Sequence, residues 1–169
     1  MWRVSFSFDG SQILYGKIAK KFGIELRGYN LSSFKKDGQL LVNTSGYFLG
    51  EKRDVMRAIS FLKRDKSIKK LEENNSFVIM LVNEDSRFEV FYSPSFIYVA
   101  PVIIDKKGIY HFDIVSWYRK DIERLLKFAE KLPEFKLKNF KQEKKENISL
   151  TGVLPNLTKK QKEVYNLAV

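Results

Sequence analysis

The sequence predicts a protein of the α+β class, in which mainly antiparallel sheets pack against helices as α/β sandwiches. The first observation is a strict alternation of hydrophobic and polar residues at the N-terminus, which is typical of a strand with one buried face. The second is a set of three segments, at about residues 11–22, 52–65 and 119–132, whose hydrophobic residues recur at helical spacing. The third is a hydrophobic content of 44% in 169 residues, which allows a sizeable core.

Residues 1–85 form the first predicted unit. The hydrophobic positions of its opening strand are Trp2, Val4, Phe6 and Phe8. A helix that ends at Gly23 follows, then two strands separated by a turn at Gly38, a second helix, and a continuous apolar strand at residues 77–82. The order strand, helix, two strands, helix, strand is that of a ferredoxin-like unit.

Residues 86–143 form the second predicted unit, which is a partial repeat of the first. A short strand from Phe88 to Tyr92 and a second strand that ends at Ile104 lead to a hairpin turn at Gly108, where glycine suits the left-handed conformation. The partner strand precedes the third helix, which Pro133 stops, and a closing strand around Leu137 follows. Two such units side by side resemble ACT-like sensor units. This resemblance implies a homodimer and a small-molecule effector.

The C-terminal part is predicted to be a linker at residues 144–156 and a helix at residues 157–169. Thr158 and Gln161 have the spacing of a capping box, in which each side chain hydrogen-bonds a backbone N–H of the first turn.

This helix carries a resemblance to a known family. Leu-Thr-x-x-Gln-x-x-Val followed by Leu-Ala, from Leu157 to Ala168, resembles the start of the helix-turn-helix of the bacterio-opsin activator family. The layout from Pro101 to Lys145 is also similar to that family's approach to its DNA-binding module. The resemblance implies the N-terminal regulatory region of an archaeal transcription regulator. Residues 157–169 would be the first helix of a truncated helix-turn-helix, and DNA would bind through a C-terminal module mostly missing from this chain.

The net charge of +11 supports a polyanionic partner. Residues 119–169 carry 13 basic and seven acidic side chains, so more than half of the excess lies near the suspected DNA-binding end. We expect Lys159, Lys160 and Lys162 to contact the DNA backbone. Without a recognition helix, the chain should bind DNA weakly and without sequence selectivity.

Composition also excludes several classes of site. The absence of cysteine excludes disulfides, thiolate metal sites and cysteine nucleophiles. The longest apolar run, residues 96–104, is too short to span a bilayer, and the N-terminus lacks the pattern of a signal peptide. We therefore expect a cytoplasmic protein with no membrane partner.

The loop of Asp9, Gly10, Ser11 and Gln12 is the candidate ligand-binding segment. It precedes the first predicted helix, and backbone N–H groups at a helix N-terminus can meet an anionic group. The alternative is a capped helix without a ligand.

The sequence gives little support for catalysis. The single histidine, His111, shares a strand face with Asp113, a spacing that can orient an imidazole, but neither a nucleophile nor a second metal ligand is evident. We predict no enzymatic activity, no cofactor and no metal.

A second function class stays open, that of a free-standing ferredoxin-like protein that binds RNA or a metabolite. Aromatic side chains between residues 88 and 98, next to Arg87, could form a stacking platform for single-stranded nucleic acid. These residues are Phe88, Phe91, Tyr92, Phe96 and Tyr98.

Overall fold

The computed structural model describes residues 1–143. Within this range, nine strands form one antiparallel sheet, accompanied by three α-helices and a 3-10 helix. The elements in chain order are β1 (Trp2–Asp9), α1 (Leu14–Phe22), β2 (Glu25–Lys36), β3 (Gln39–Leu49), α2 (Lys52–Leu62), β4 (Ile68–Asn74), β5 (Phe77–Glu84), the 3-10 helix (Ser86–Tyr92), β6 (Ile97–Tyr98), β7 (Val102–Ile104), β8 (Ile109–Ser116), α3 (Arg119–Ala129) and β9 (Lys136–Gln142).

The strands lie in the order β4-β5-β3-β2-β7-β8-β1-β9, with β6 paired to β8 beside this path. The same arrangement occurs twice. Each half consists of a hairpin, a helix and two further strands. The first half is β2-β3-α2-β4-β5. The second half is β7-β8-α3-β9 together with β1, which takes the place that β5 has in the first half. Pairing of β2 with β7 joins the halves, so the N-terminal strand completes the half that contains the C-terminal strands.

The prediction of two ferredoxin-like, ACT-like α/β-sandwich units is therefore wrong. β1 lies between β8 and β9, with Phe8 opposite Tyr110 and Val4 opposite Phe140. Hydrophobic alternation predicts that residues 2–9 form a strand, but it carries no information about a partner more than 100 residues away. The strands consequently form one sheet rather than two.

Two local predictions also fail. The 3-10 helix occupies the segment up to Tyr92 that was predicted as a strand, and the Asp85 side chain accepts a hydrogen bond from the backbone N–H of Arg87 at its start. β4 was not predicted because four of its seven residues are charged. Charged side chains are usual on an edge strand, where they discourage pairing with other chains.

The three predicted helices are present, and all three bury their apolar sides in one hydrophobic cluster with the sheet. Val4, Phe6 and Phe8 of β1 are almost completely buried. Phe6 stacks on Phe112 at a ring-centroid distance of 5.0 Å, and Phe8 stacks on Tyr110 at 5.2 Å. Each such pair adds roughly 0.5–1.5 kcal/mol to the effect of burial alone, so the β1–β8 contact is central to the core.

No helix within residues 1–143 has the length and apolar character needed to cross a membrane. The predicted linker at residues 144–156 and the predicted helix at residues 157–169 lie outside the described residues, as do Lys159, Lys160 and Lys162.

Candidate ligand-binding site

A pair of glycines on the two central strands of one half leaves space next to the sheet. Gly28 of β2 lies directly opposite Gly46 of β3 and also opposite Val102 of β7. Because side chains alternate along a strand, both glycines belong to the face that carries the buried Leu26 and Phe48. Neither glycine fills this face with a side chain.

A cavity of about 110 Å³ lies over this part of the sheet. It is bounded by β1, α1, the 3-10 helix and the central strands, so it is enclosed by residues from both halves of the chain. Most of its wall is apolar. The hydrophobic side chains that line it are Phe8, Ile13, Leu26, Phe48, Val78, Met80, Phe88, Phe91, Val102, Ile104 and Phe112.

Glu84, the last residue of β5, brings a carboxyl group to this wall. Its Oε2 accepts a hydrogen bond from the Tyr92 hydroxyl at 3.1 Å, and its Oε1 accepts one from the backbone N–H of Asp85 at 3.2 Å. Burial raises the pKa of Glu84, although both hydrogen bonds act in the opposite direction. The carboxyl is thus held in a site where its ionised form is disfavoured.

Two tyrosine hydroxyls at the cavity are buried without a hydrogen-bond partner among the described residues, those of Tyr15 on α1 and Tyr110 on β8. Tyr110 is only 7% exposed. The backbone amide of Gly16 lies near the Tyr110 hydroxyl and slightly lowers its pKa, but its geometry falls short of a hydrogen bond. Buried hydroxyls are nearly always hydrogen-bonded in folded proteins, so an orphan pair beside a cavity indicates a place for a polar group.

The three tyrosines and Glu84 line one cavity, and the Glu84 carboxylate affects the ionisation of each phenol. Burial raises the pKa of Tyr15, of Tyr92 and of Tyr110, and in each case the neighbouring Glu84 carboxylate raises it further. All three phenols therefore stay neutral over the physiological pH range. Among these four side chains Glu84 is the one that can ionise in that range, and the Tyr92 hydroxyl is its hydrogen-bond partner.

The Tyr98 hydroxyl differs from those of Tyr15 and Tyr110 because it has two hydrogen-bond partners. It donates to the Phe91 carbonyl oxygen at 2.7 Å and accepts from the Asn30 side-chain amide at 3.4 Å. It serves to hold the segment after the 3-10 helix against β2.

The loop predicted to bind a ligand, Asp9 to Gln12, lies behind Tyr110 rather than at a helix start, because α1 begins at Leu14. The amides of Asp9, Gly10 and Ser11 already have partners. The Gly10 N–H donates to the Gly108 carbonyl at 3.1 Å, and the Ser11 N–H donates to Asp9 Oδ1 at 2.8 Å. A Cβ at Gly10 would clash with the Tyr110 ring. The loop thus positions Tyr110, and its direct binding of a ligand stays a prediction.

The pair His111 and Asp113 lies on the other face of the sheet. His111 Nε2 is 3.0 Å from Asp105 Oδ2, and its Nδ1 is 3.0 Å from Lys138 Nζ. Asp113 instead accepts two hydrogen bonds from the Arg3 guanidinium. Both side chains have structural partners, and the imidazole is not oriented by Asp113.

The aromatic residues considered as a nucleic-acid platform lie in the core and around the cavity. Phe91 and Phe96 are buried. Phe88, Phe91 and Tyr92 line the cavity, and the Arg87 guanidinium is bound to Asp85 at 2.6 Å. Residues 88–98 do not form an open sheet face of stacked rings.

Sequence reasoning missed Tyr15, Glu84 and Tyr110 because they are far apart in the chain. Glu84 had one local signal, as a carboxylate directly after an apolar strand, but such residues are mostly solvated. The cluster exists only once β5, α1 and β8 are assembled. Residues 1–143 contain no group of three or more acidic or histidine side chains placed to hold a metal.

Comparison of the chain with protein-family models, with curated proteins and with solved structures finds no match.

Proposed function

We propose that this chain is the effector-binding, regulatory part of a DNA-binding transcription regulator, and that its effector binds in the cavity beside Glu84. One observation carries the first half of the proposal. The cavity is largely apolar, yet its wall carries the carboxyl of Glu84 and two tyrosines, Tyr15 and Tyr110, whose buried hydroxyls have no partner within residues 1–143. An apolar cavity with a few convergent polar groups and a shifted pKa is the usual form of a small-molecule site.

The second half of the proposal rests on the sequence. The resemblance of residues 157–168 to the start of a helix-turn-helix and the concentration of positive charge after residue 119 support a DNA partner. The proposal includes a homodimer in the cytoplasm, the usual arrangement when a regulator reads two DNA half-sites. The role proposed is binding and not catalysis.

A fragment screen tests the effector site. We expect some members of a panel of small neutral, cationic and anionic compounds to raise the melting temperature of the 169-residue chain, because a ligand that binds the folded state stabilises it. In the variant Val102→Phe, the larger side chain should extend over Gly28 and block the cavity. Stabilisation that persists in Val102→Phe, or a panel without any stabilising member, would contradict the proposal.

A free-standing metabolite-binding protein would use the same cavity. The two functions are therefore distinguished by whether ligand binding changes the affinity of the protein for DNA. We expect a fragment that binds the cavity to change the affinity of the protein for DNA, since binding at two coupled sites is reciprocal. Cavity binding without any effect on DNA affinity would favour the free-standing protein.

A further inference from the structure

The charged residues of the wall indicate which chemical class of ligand the cavity binds. This inference rests on the proposed function that a small molecule binds there. Glu84 is the acidic residue of the wall. The single basic residue of the wall is Arg27, which alternates to the opposite face of β2 and binds Glu25 at 2.6 Å. An anionic ligand would therefore meet a carboxylate without a compensating cation inside an apolar enclosure, which is costly.

The hydrogen-bonding capacity of the site points to a donor. A carboxylate offers about four acceptor positions, and Glu84 uses two of them for Tyr92 and the Asp85 N–H. The hydroxyl oxygens of Tyr15 and Tyr110 are also acceptors without a partner among the described residues. A primary ammonium group has three donors and no acceptor, which matches a wall that carries one carboxylate and two hydroxyl acceptors.

The remaining wall fits the rest of such a ligand. Phe8, Phe88, Phe91 and Phe112 surround the cavity, and aromatic faces attract a cation while tolerating an apolar chain. The volume of about 110 Å³ limits the size. A cavity of roughly 150 Å³ holds benzene, so within about 110 Å³ a short alkyl chain fits and a single aromatic ring is the upper limit for the apolar part of the ligand.

We propose that the cavity binds a small primary amine in its ammonium form, with the nitrogen at Glu84, Tyr15 and Tyr110 and a short alkyl or aryl group against the phenylalanines. The ammonium would supply the counter-charge that half-buried Glu84 lacks within the described residues of the wall. Ligand binding would then favour the ionised carboxylate, opposing the effect of burial.

The test uses two matched series with the full 169-residue chain. Isopentylamine is compared with isopentanol and isovalerate, and benzylamine with benzyl alcohol and benzoate, so that shape is constant while charge changes. Dissociation constants come from calorimetric or NMR titration. We expect at least one amine to bind about tenfold or more tightly than its alcohol and its carboxylate. A factor of about ten is the affinity that one hydrogen bond to a charged group contributes.

Variants of the cluster locate the nitrogen. Tyr15→Phe and Tyr110→Phe should each weaken amine binding about tenfold, and Glu84→Gln about 30-fold or more. The matched controls are Tyr118→Phe, an exposed hydroxyl away from the cavity, and Glu89→Gln, an exposed carboxyl on the 3-10 helix. Both controls should leave the dissociation constants unchanged. The two Tyr→Phe variants keep the test decisive if Glu84→Gln fails to fold.

Two results would overturn the amine assignment. One is an alcohol or a carboxylate that binds as tightly as its amine, and the other is amine binding that survives all three cluster substitutions. If neutral or anionic fragments bind in a manner abolished by Val102→Phe while the amines show no preference, the effector site stands and the ligand class is wrong. If no compound of any charge class binds, the proposed function fails as well.

Discussion

At the level of single residues, removing the unpaired hydroxyl of Tyr110 should change the free energy of unfolding in the opposite direction from removing the hydrogen-bonded hydroxyl of Tyr98. Burying an unsatisfied hydroxyl costs about 1–3 kcal/mol, so Tyr110→Phe should raise the free energy of unfolding of the ligand-free protein by roughly 1 kcal/mol. Tyr98→Phe should lower it by about 1 kcal/mol, because the hydroxyl that bonds the Phe91 carbonyl is lost. Urea unfolding of both variants measures these changes. A Tyr110→Phe variant that is destabilised as much as Tyr98→Phe would mean that the hydroxyl is already satisfied.

Glu84 predicts a pH dependence of stability. Burial raises the pKa of Glu84 above its ordinary value of 4.5, so the unfolded chain releases this proton at a lower pH than the folded chain. The folded state is then favoured by this group below about pH 4.5 and loses that contribution as the pH rises through the higher, folded-state pKa.

Glu84→Gln removes this titration. The free energy of unfolding of the variant should therefore improve relative to that of the natural protein as the pH rises from 4 to 7, as measured by chemical denaturation at several pH values. Glu89→Gln, with its exposed carboxyl paired to Lys35, serves as the control. The difference in free energy of unfolding between Glu84→Gln and the natural protein could instead stay constant over this range. That result would show that burial does not raise the pKa of the Glu84 carboxyl.

At the scale of elements, the glycine pair lets β2 and β3 approach closely beside the cavity. A Cβ at position 46 would lie 2.5 Å from the Arg27 carbonyl oxygen and 2.9 Å from Gly28 Cα. Gly46→Ala must move the backbone of one strand, and we expect it to reduce the free energy of unfolding by about 1–3 kcal/mol. The neighbouring Ser45→Ala is the matched control. Thermal or urea unfolding measures both, and equal stabilities would show that the two strands separate without cost.

At the scale of the whole molecule, the single sheet predicts that the two halves do not fold separately. Every strand partner of β1 lies beyond residue 108. A polypeptide of residues 1–85 would expose Phe6 and Phe8, whereas residues 1–143 retain both neighbours of β1. We expect residues 1–85 to lack dispersed amide NMR signals and a cooperative unfolding transition, and residues 1–143 to show both. Cooperative unfolding of residues 1–85 would restore the idea of an independent first unit.

The charge of the whole chain predicts its behaviour towards DNA. The lysines at positions 159, 160 and 162 should give weak binding that declines steeply with salt and does not distinguish a specific promoter from a scrambled duplex. Fluorescence anisotropy at two salt concentrations measures this, with the triple variant Lys159→Gln, Lys160→Gln and Lys162→Gln as the comparison. Selective binding by this chain would place the DNA-reading surface elsewhere.

The local elements of this protein were largely predictable from its amino-acid sequence. The three helices and β1 were predictable because the hydrophobic residues of each element recur at the period of its backbone geometry. The turn at Gly108 was predictable because glycine favours left-handed turn positions, and its φ in the structure is 85°. β4 escaped this reasoning because an edge strand is partly solvated and carries charges instead of an alternating pattern.

The order of the strands in the sheet, and with it the composition of the cavity, became apparent from the assembled fold. The insertion of β1 between β8 and β9 depends on side-chain packing between segments more than 100 residues apart, which periodicity does not encode. The same assembly brings Tyr15, Glu84 and Tyr110 to one cavity beside Gly28 and Gly46. Each of these residues is ordinary in its own segment. Their shared desolvation, and the lack of a partner within residues 1–143 for the two tyrosine hydroxyls, arise only when three distant elements enclose the same space.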